Sequence, residues 1–212
     1  YNDLAGKGLS LDILKSKSGY DFYNTSFFTF GKLLDDPNNI SKNLENYIDG
    51  FSDNVKDIFQ KLEFDIIRDK LTQSDLLYRI ISKFNEINLH PDNISNHEIG
   101  LAFEDLIRHF AEQSNETAGE HYTPRDVVNL MASLLFVDEE EDLKKAEKIV
   151  RIYDPACGTG GMLTVSKEYI KENINSKAHV LLYGQELNAK TYAIAKADML
   201  MKGENPDLIK GG

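Results

Sequence analysis

Ile149-Val150-Arg151-Ile152-Tyr153-Asp154-Pro155-Ala156-Cys157-Gly158-Thr159-Gly160-Gly161 runs from a short β-rich segment straight into a glycine-rich turn. A helical pattern follows from Gly161 to about residue 172. A second β-rich run, His179-Val180-Leu181-Leu182-Tyr183-Gly184, is followed by a helical pattern over residues 188–202. Strand, glycine turn, helix, strand, helix is the opening of a doubly wound α/β sheet. The reading accounts for two strands, and two parallel strands do not make an independent sheet. The glycines let the backbone turn sharply and let a ligand approach with no Cβ in the way. The helix N-terminus beyond offers free N–H donors and the positive end of a dipole, suited to an anionic group. A tight strand-to-helix turn also needs glycine for packing alone, so the loop by itself is weak evidence. Its spacing narrows the field. Gly158 and Gly160 fit the first two glycines of a dinucleotide fingerprint, but Leu163 stands where the third belongs, and no Gly-Lys-Ser/Thr marks a triphosphate loop.

Two further elements belong with this loop. The second β-rich run ends Tyr183-Gly184-Gln185-Glu186-Leu187-Asn188. A carboxylate at the tip of a second parallel strand can accept hydrogen bonds from both hydroxyls of a ribose held over the first loop. Alone, Glu186 reads as a solvated loop carboxylate or an acid at the next helix's N-terminus. The glycine loop one strand earlier tips that balance toward the ribose. Upstream lies Gly119-Glu120-His121-Tyr122-Thr123-Pro124-Arg125. Tyr122 offers a planar face, Arg125 a cation near a carboxylate, and Thr123 an N-cap with Pro124 at the first helical position. A capped helix with an incidental aromatic explains the same residues. His121 has no second His or Cys at metal-ligand spacing, so no metal site is expected. Cys157 lacks an identifiable activating base and reads as a packing residue.

Upstream of this segment the texture is helical. Residues 41–62 carry Leu44, Ile48, Phe51, Val55, Ile58, Phe59 and Leu62 at mixed three- and four-residue spacings, which predicts a helix. Residues 74–89 repeat the pattern, and Pro91 limits their extension. Ser95-Asn96-His97-Glu98 reads as a capping box opening a further amphipathic helix. The polar stretch Gln113-Ser114-Asn115-Glu116-Thr117-Ala118-Gly119 marks a composition shift. The expected division is therefore a helical domain over 1–114 and the beginning of an α/β domain over 115–212. Asp138-Glu139-Glu140-Glu141-Asp142 reads as an exposed acidic loop.

Composition bounds the function more loosely. No apolar run approaches the roughly 20 residues that span a bilayer, so no membrane partner is expected. A single cysteine among 212 residues excludes an internal disulfide framework and fits a reducing cytosol. The formal charge of −11 argues against this segment gripping DNA by itself, since non-specific affinity comes mainly from Lys and Arg neutralising phosphates. The chain opens on Tyr1 rather than Met and stops at Gly211-Gly212, which is expected of a fragment; the family resemblance of its motifs makes it an N-terminal one.

The octapeptide Asp154 to Gly161 is similar over its whole length to the S-adenosylmethionine loop of N6-adenine DNA methyltransferases. The heptapeptide Gly119 to Arg125, that loop, and Gly184 to Asn188 stand in the order and approximate spacing of the modification subunits of type I restriction–modification systems. The helix Thr191-Tyr192-Ala193-Ile194-Ala195-Lys196-Ala197-Asp198-Met199-Leu200 also resembles the one that follows in that family. The resemblance implies a helical domain followed by the start of a Rossmann-like methyltransferase domain. It implies transfer of a methyl group from S-adenosylmethionine to adenine N6 in DNA, in the cytoplasm, together with a specificity subunit and a restriction subunit. Tyr122, Thr123, Pro124 and Arg125 would lie along the cofactor, with Glu120 and His121 at its margin. Asp154, Gly158, Thr159, Gly160 and Gly161 would surround its methionine and central portion, and Glu186 would bind its ribose. The family's catalytic tetrapeptide, Asn/Asp-Pro-Pro-Tyr/Phe, does not occur in the sequence; Asn205-Pro206 continues with Asp207. The catalytic residues are expected beyond Gly212. The residues up to Gly212 are thus expected to supply the cofactor half of a site and to be inactive alone. A methyltransferase of another substrate, or a non-catalytic assembly module, remains an alternative from the residues themselves.

Overall fold

The computed structural model describes residues 22–90, 92–113 and 123–212, and the chain divides into two compact units, Tyr1–Ser95 and Asn96–Gly212.

The first unit is built of short helices: α1 (Phe30–Leu34), α2 (Ile40–Asp49), α3 (Asp53–Lys61), α4 (Phe64–Gln73) and α5 (Leu77–Glu86). Thr29 caps α1 by accepting the Lys32 N–H. Leu33, Ile40, Leu44, Leu77 and Ile81 form its core. The single helix expected over 41–62 is two helices. The break lies at Gly50–Ser52, where Phe51 forms an isolated antiparallel bridge with Asn24. A Cβ on Gly50 would stand 2.4 Å from Asn24 Oδ1, so the close approach of the two segments requires glycine there. The 74–89 pattern contracts to α5, and α4 has no counterpart among the helices expected from sequence.

The second unit opens with α6 (Asn96–Gln113), which starts just after Ser95 in the expected place. It continues with α7 (Arg125–Phe136), α8 (Glu140–Leu143), β1 (Ile149–Asp154), α9 (Gly161–Tyr169, continued by one π turn to Ile174), β2 (His179–Glu186), α10 (Ala189–Met201) and β3 (Ile209–Gly211). The composition shift at 113–119 assigns α6 to the first domain. In the structure it packs instead on α10, where a Cβ on Gly100 would lie 2.8 Å from Lys202 Cγ. The second unit therefore runs from Asn96 to Gly212 and not from residue 115. Two other expectations are corrected. The acidic run 138–142 contains α8, with Asp142 paired to Lys145 and Lys148. A third strand exists: Gly184, Gln185 and Glu186 pair in parallel with Ile209, Lys210 and Gly211.

The sheet is wholly parallel in the order β1-β2-β3, with Ile149 to Asp154 in register with His179 to Gly184. The hydrogen bonding between β2 and β3 continues to Gly212, whose N–H donates to the Glu186 carbonyl at 3.0 Å. Side chains alternate across the faces of the sheet. Ile152, Val180 and Leu182 point into a core with Leu163, Ala195 and Met199 from α9 and α10. Arg151, Tyr153 and Leu181 face the other way and are exposed. No helix among the described residues is long and apolar enough to cross a membrane.

Candidate functional site

The carboxyl end of β1 turns into α9 through Asp154 to Gly160. Asp154 Oδ1 accepts the Ala156 N–H at 3.1 Å, which starts the turn. The Cys157 N–H donates to the Gln185 carbonyl at 2.9 Å, tying the loop to the tip of β2, and the Gly160 N–H donates to the Cys157 carbonyl at 2.8 Å. Gly158 and Gly160 take φ of +56° and +88°, the left-handed region in which a Cβ is strained. A Cβ on Gly158 or Gly161 would meet nothing within 4 Å, so these positions face open space. A Cβ on Gly160 would stand 3.0 Å from Met199 Cε. The loop is thus held to the core at Gly160 and open at Gly158 and Gly161.

Glu186 ends β2 beside this loop. Its Oε2 accepts the Gly158 N–H at 3.0 Å and its Oε1 accepts the Asn188 N–H at 2.7 Å. Two backbone donors fix the carboxylate plane, and a carboxylate with about four acceptor sites still has two for a ligand. Asn188 then caps α10, accepting the Lys190 and Thr191 N–H groups. Gly184, which enters the sequence pattern only as part of a motif, is required by packing. A Cβ there would lie 2.8 Å from Cys157 Sγ and 2.9 Å from Ile209 Cδ1. The Cys157 thiol is buried, and desolvation with the nearby Asp154 and Glu186 carboxylates pushes it up to about 11. At neutral pH it is a protonated packing group.

The loop floors a cavity of about 420 Å³, within the size range of small-molecule sites. Asp154, Gly158, Thr159 and Gly161 line it from the sheet side, and Thr123 and Arg125 line it from the other. Val128, Met131, Met162 and Val165 supply apolar wall. Glu186 reaches the site through its bond to Gly158. Gly212, the residue after which the catalytic group is expected, is exposed and does not line the cavity; a Cβ on it would meet Leu187 Cδ1 at 2.9 Å. Thr123 does not cap α7: Pro124 occupies the cap position, and its carbonyl accepts the Val127 and Val128 N–H groups. Glu120, His121 and Tyr122 lie outside the described residues.

The structure adds charged groups that look, in the sequence, like solvated helix faces. The Arg125 guanidinium donates to Glu104 of α6 at 3.0 and 3.2 Å and pairs with Glu168 of α9. Lys202 lies 2.9 Å from Asp198 Oδ2 and donates to Thr164 Oγ1 at 3.1 Å. Asp198 is 3% exposed, and its Oδ1 has no hydrogen-bond partner. Desolvation pushes its carboxyl up to about 6 despite Lys202, with Glu104 and Glu168 adding to the rise. The one local signal is the four-residue spacing of Asp198 and Lys202.

Residues 94–211 match the model of the N-6 DNA Methylase family, and residues 3–84 match that of the HsdM N-terminal domain. The chain is 30% identical over 163 residues to the type I restriction enzyme MjaVII methylase subunit of Methanocaldococcus jannaschii, covering 76% of this chain and 26% of that protein. It is also 30% identical over 166 residues to the type I restriction enzyme EcoEI methylase subunit of Escherichia coli, covering 76% and 31%. It therefore spans about a quarter to a third of the length of these relatives. In fold it is similar to the type I restriction–modification system methyltransferase subunit of Streptococcus thermophilus, at a TM-score of 0.72 and 23% identity, over 95% of this chain and 42% of that one. The glycine loop, the locked strand-tip carboxylate and the family match over more than half of the sequence agree, and the chain belongs to the N-6 DNA methylase family of type I restriction–modification methylase subunits.

Proposed function

We propose that the protein carrying this chain is an adenine-N6 DNA methyltransferase, the modification subunit of a cytoplasmic type I system, and that this segment holds the S-adenosylmethionine. The observation that carries this reading is the locked pair of Gly158 and Glu186, with an open cavity in front of the glycine. Each Glu186 oxygen keeps an acceptor site for one ribose hydroxyl, and the backbone donors prevent the carboxylate from turning away. Gly158, Thr159 and Gly161 leave backbone at the surface for the methionine and sulfonium portion. Asp154 holds the turn open and faces the same end of the cavity. Thr123 and Arg125 line the opposite wall; we assign Tyr122 to the cofactor and Glu120 and His121 to its margin on the family resemblance alone. When bound, the cofactor would supply a methyl group that an amino nitrogen attacks in line, with the thioether leaving and the nitrogen losing a proton; the residues here hold it in position and exclude water. Base recognition is proposed to lie in the part of such a subunit that this chain, about a quarter to a third of its relatives' length, does not cover. A net charge of −11 likewise assigns the phosphate grip to residues elsewhere or to a partner. A specificity subunit that reads DNA and a restriction subunit are the proposed partners.

Two measurements test the reading. Calorimetric titration of S-adenosylmethionine into the protein is expected to show one saturable site, lost in Glu186→Ala. Labelled cofactor incubated with the full subunit, its specificity partner and unmethylated duplex is expected to place label on adenine N6. Absence of saturable binding would sink the cofactor site. Binding without label on adenine would leave the cofactor site and refute the substrate.

A further inference from the structure

Arg125 is the first residue of α7 and follows Thr123-Pro124 directly, so the guanidinium anchors the segment that forms one wall of the cavity. It is held from two sides. One terminal nitrogen donates to both Glu104 oxygens, at 3.2 and 3.0 Å, and the other pairs with Glu168. The two carboxylates are only 24% and 26% exposed, where charge-assisted bonds of this kind are stronger than in open water. Lys202 extends the set, 3.9 Å from Glu104 Oε2 and bonded to Thr164 Oγ1. The start of α7 is thereby pinned to α6 and α9, while the Pro124 ring and its carbonyl bonds to Val127 and Val128 stiffen the step back to Thr123. Two carboxylates against one guanidinium also leave it no net positive charge with which to draw an anionic part of a ligand.

We propose that Glu104 and Glu168 are positioning residues of the cofactor site: they grip Arg125 so that Thr123-Pro124 is held against the glycine loop, and the arginine acts through the backbone, not as a ligand to the cofactor's carboxylate. The inference rests on the cofactor reading of the cavity. The two roles for Arg125 predict opposite signs when an acid is neutralised. If the acids position the wall, losing one loosens it and weakens binding. If Arg125 itself holds the cofactor's carboxylate, the acids compete with that carboxylate, and losing one leaves affinity unchanged or tightens it.

The test is titration of S-adenosylmethionine into the wild-type protein and into Glu104→Gln, Glu168→Gln and Arg125→Lys, with the ligand-free thermal midpoint of each. Gln keeps the shape, and Lys keeps the charge but cannot span two carboxylates. Each variant is expected to bind about three- to ten-fold more weakly, the loss of roughly one such contact. Wild-type affinity is expected to fall with added salt more than that of either Gln variant, because each variant lacks one of the two pairs being screened. That difference in salt profile is one a purely structural role would not produce. Should one Gln variant unfold, the other Gln variant still decides the sign, because each removes one acid and leaves Arg125 in place. Unchanged or tighter binding in the folded variants would overturn the positioning role while leaving the cofactor site intact. No binding by the wild type would instead overturn the reading on which it rests.

Discussion

The two walls of the cavity are held by different forces. On the sheet side, the glycine loop and Glu186 are fixed by backbone donors close in the fold: the Cys157 N–H donates to the Gln185 carbonyl, and the Gly158 and Asn188 N–H groups donate to the Glu186 carboxylate. On the helix side, Thr123 and Arg125 are held by side-chain charges from helices far away in sequence, Glu104 and Glu168. A bond from a backbone N–H loses little to salt, whereas a partly exposed ion pair is screened by it. The wall that carries the proposed ribose acceptor is therefore expected to respond less to salt than the wall held by the ion pairs.

The largest expected effect breaks the sheet-side wall at its proposed ligand contact. Glu186→Ala removes both proposed ribose acceptors and the partner of the Gly158 N–H together. With about 1.5–3 kcal/mol for each bond to a charged acceptor, cofactor affinity is expected to fall by at least about a hundredfold in calorimetry. An affinity within about threefold of wild type would mean that the ribose lies elsewhere. Gly160→Val attacks the same wall through the backbone. It forces a β-branched residue to φ +88° with its Cβ 3.0 Å from Met199 Cε, and a loss of about 2–3 kcal/mol in denaturant unfolding is expected.

The charged wall is sharpened by pH. The Asp198 carboxyl sits at about 6, above its ordinary 3.8, because burial disfavours its charge. Between those values the folded protein holds a proton that the unfolded chain has released, so stability falls as pH rises from 4 through 6. The contribution reaches at most roughly 3 kcal/mol. Asp142 works in the opposite sense, its carboxyl held down at about 2 by Lys145 and Lys148, and its contribution is lost only as pH drops below about 4. Thermal midpoints between pH 4.5 and 7.5 therefore isolate Asp198. The wild type is expected to lose stability across that window by a slope that Asp198→Asn removes; parallel profiles would refute the assignment. The smallest effect expected is that of Arg125→Lys on cofactor affinity, under about tenfold, because the sheet-side contacts survive it. A loss as large as that of Glu186→Ala would erase the distinction between the walls.

The sheet-side wall is legible in the sequence, and the helix-side wall is not. Gly158, Gly160, Glu186 and the β-rich runs before them express turn chemistry and a period of two, rules that operate over fewer than ten residues and leave their mark in order along the chain. The same rules place the helices over 161–172 and 188–202 close to where they stand. They fail wherever distant segments choose. Three residues, Ile209–Gly211, are too few to show a period, and only β2 makes them a strand and carries the pairing on to Gly212. The break at Gly50 exists because Asn24 comes against it, and α6 joins the second unit because Gly100 receives Lys202. Glu104 and Glu168 stand 21 and 43 residues from Arg125 and look like any solvated helix charge until the fold brings them together. Sequence by itself determined the fold type, the family and the sheet-side end of the site, because backbone geometry writes itself locally. Only tertiary structure decided which charges pair, how deeply Asp198 is buried and where the units divide, because burial and partner choice are properties of the packed chain.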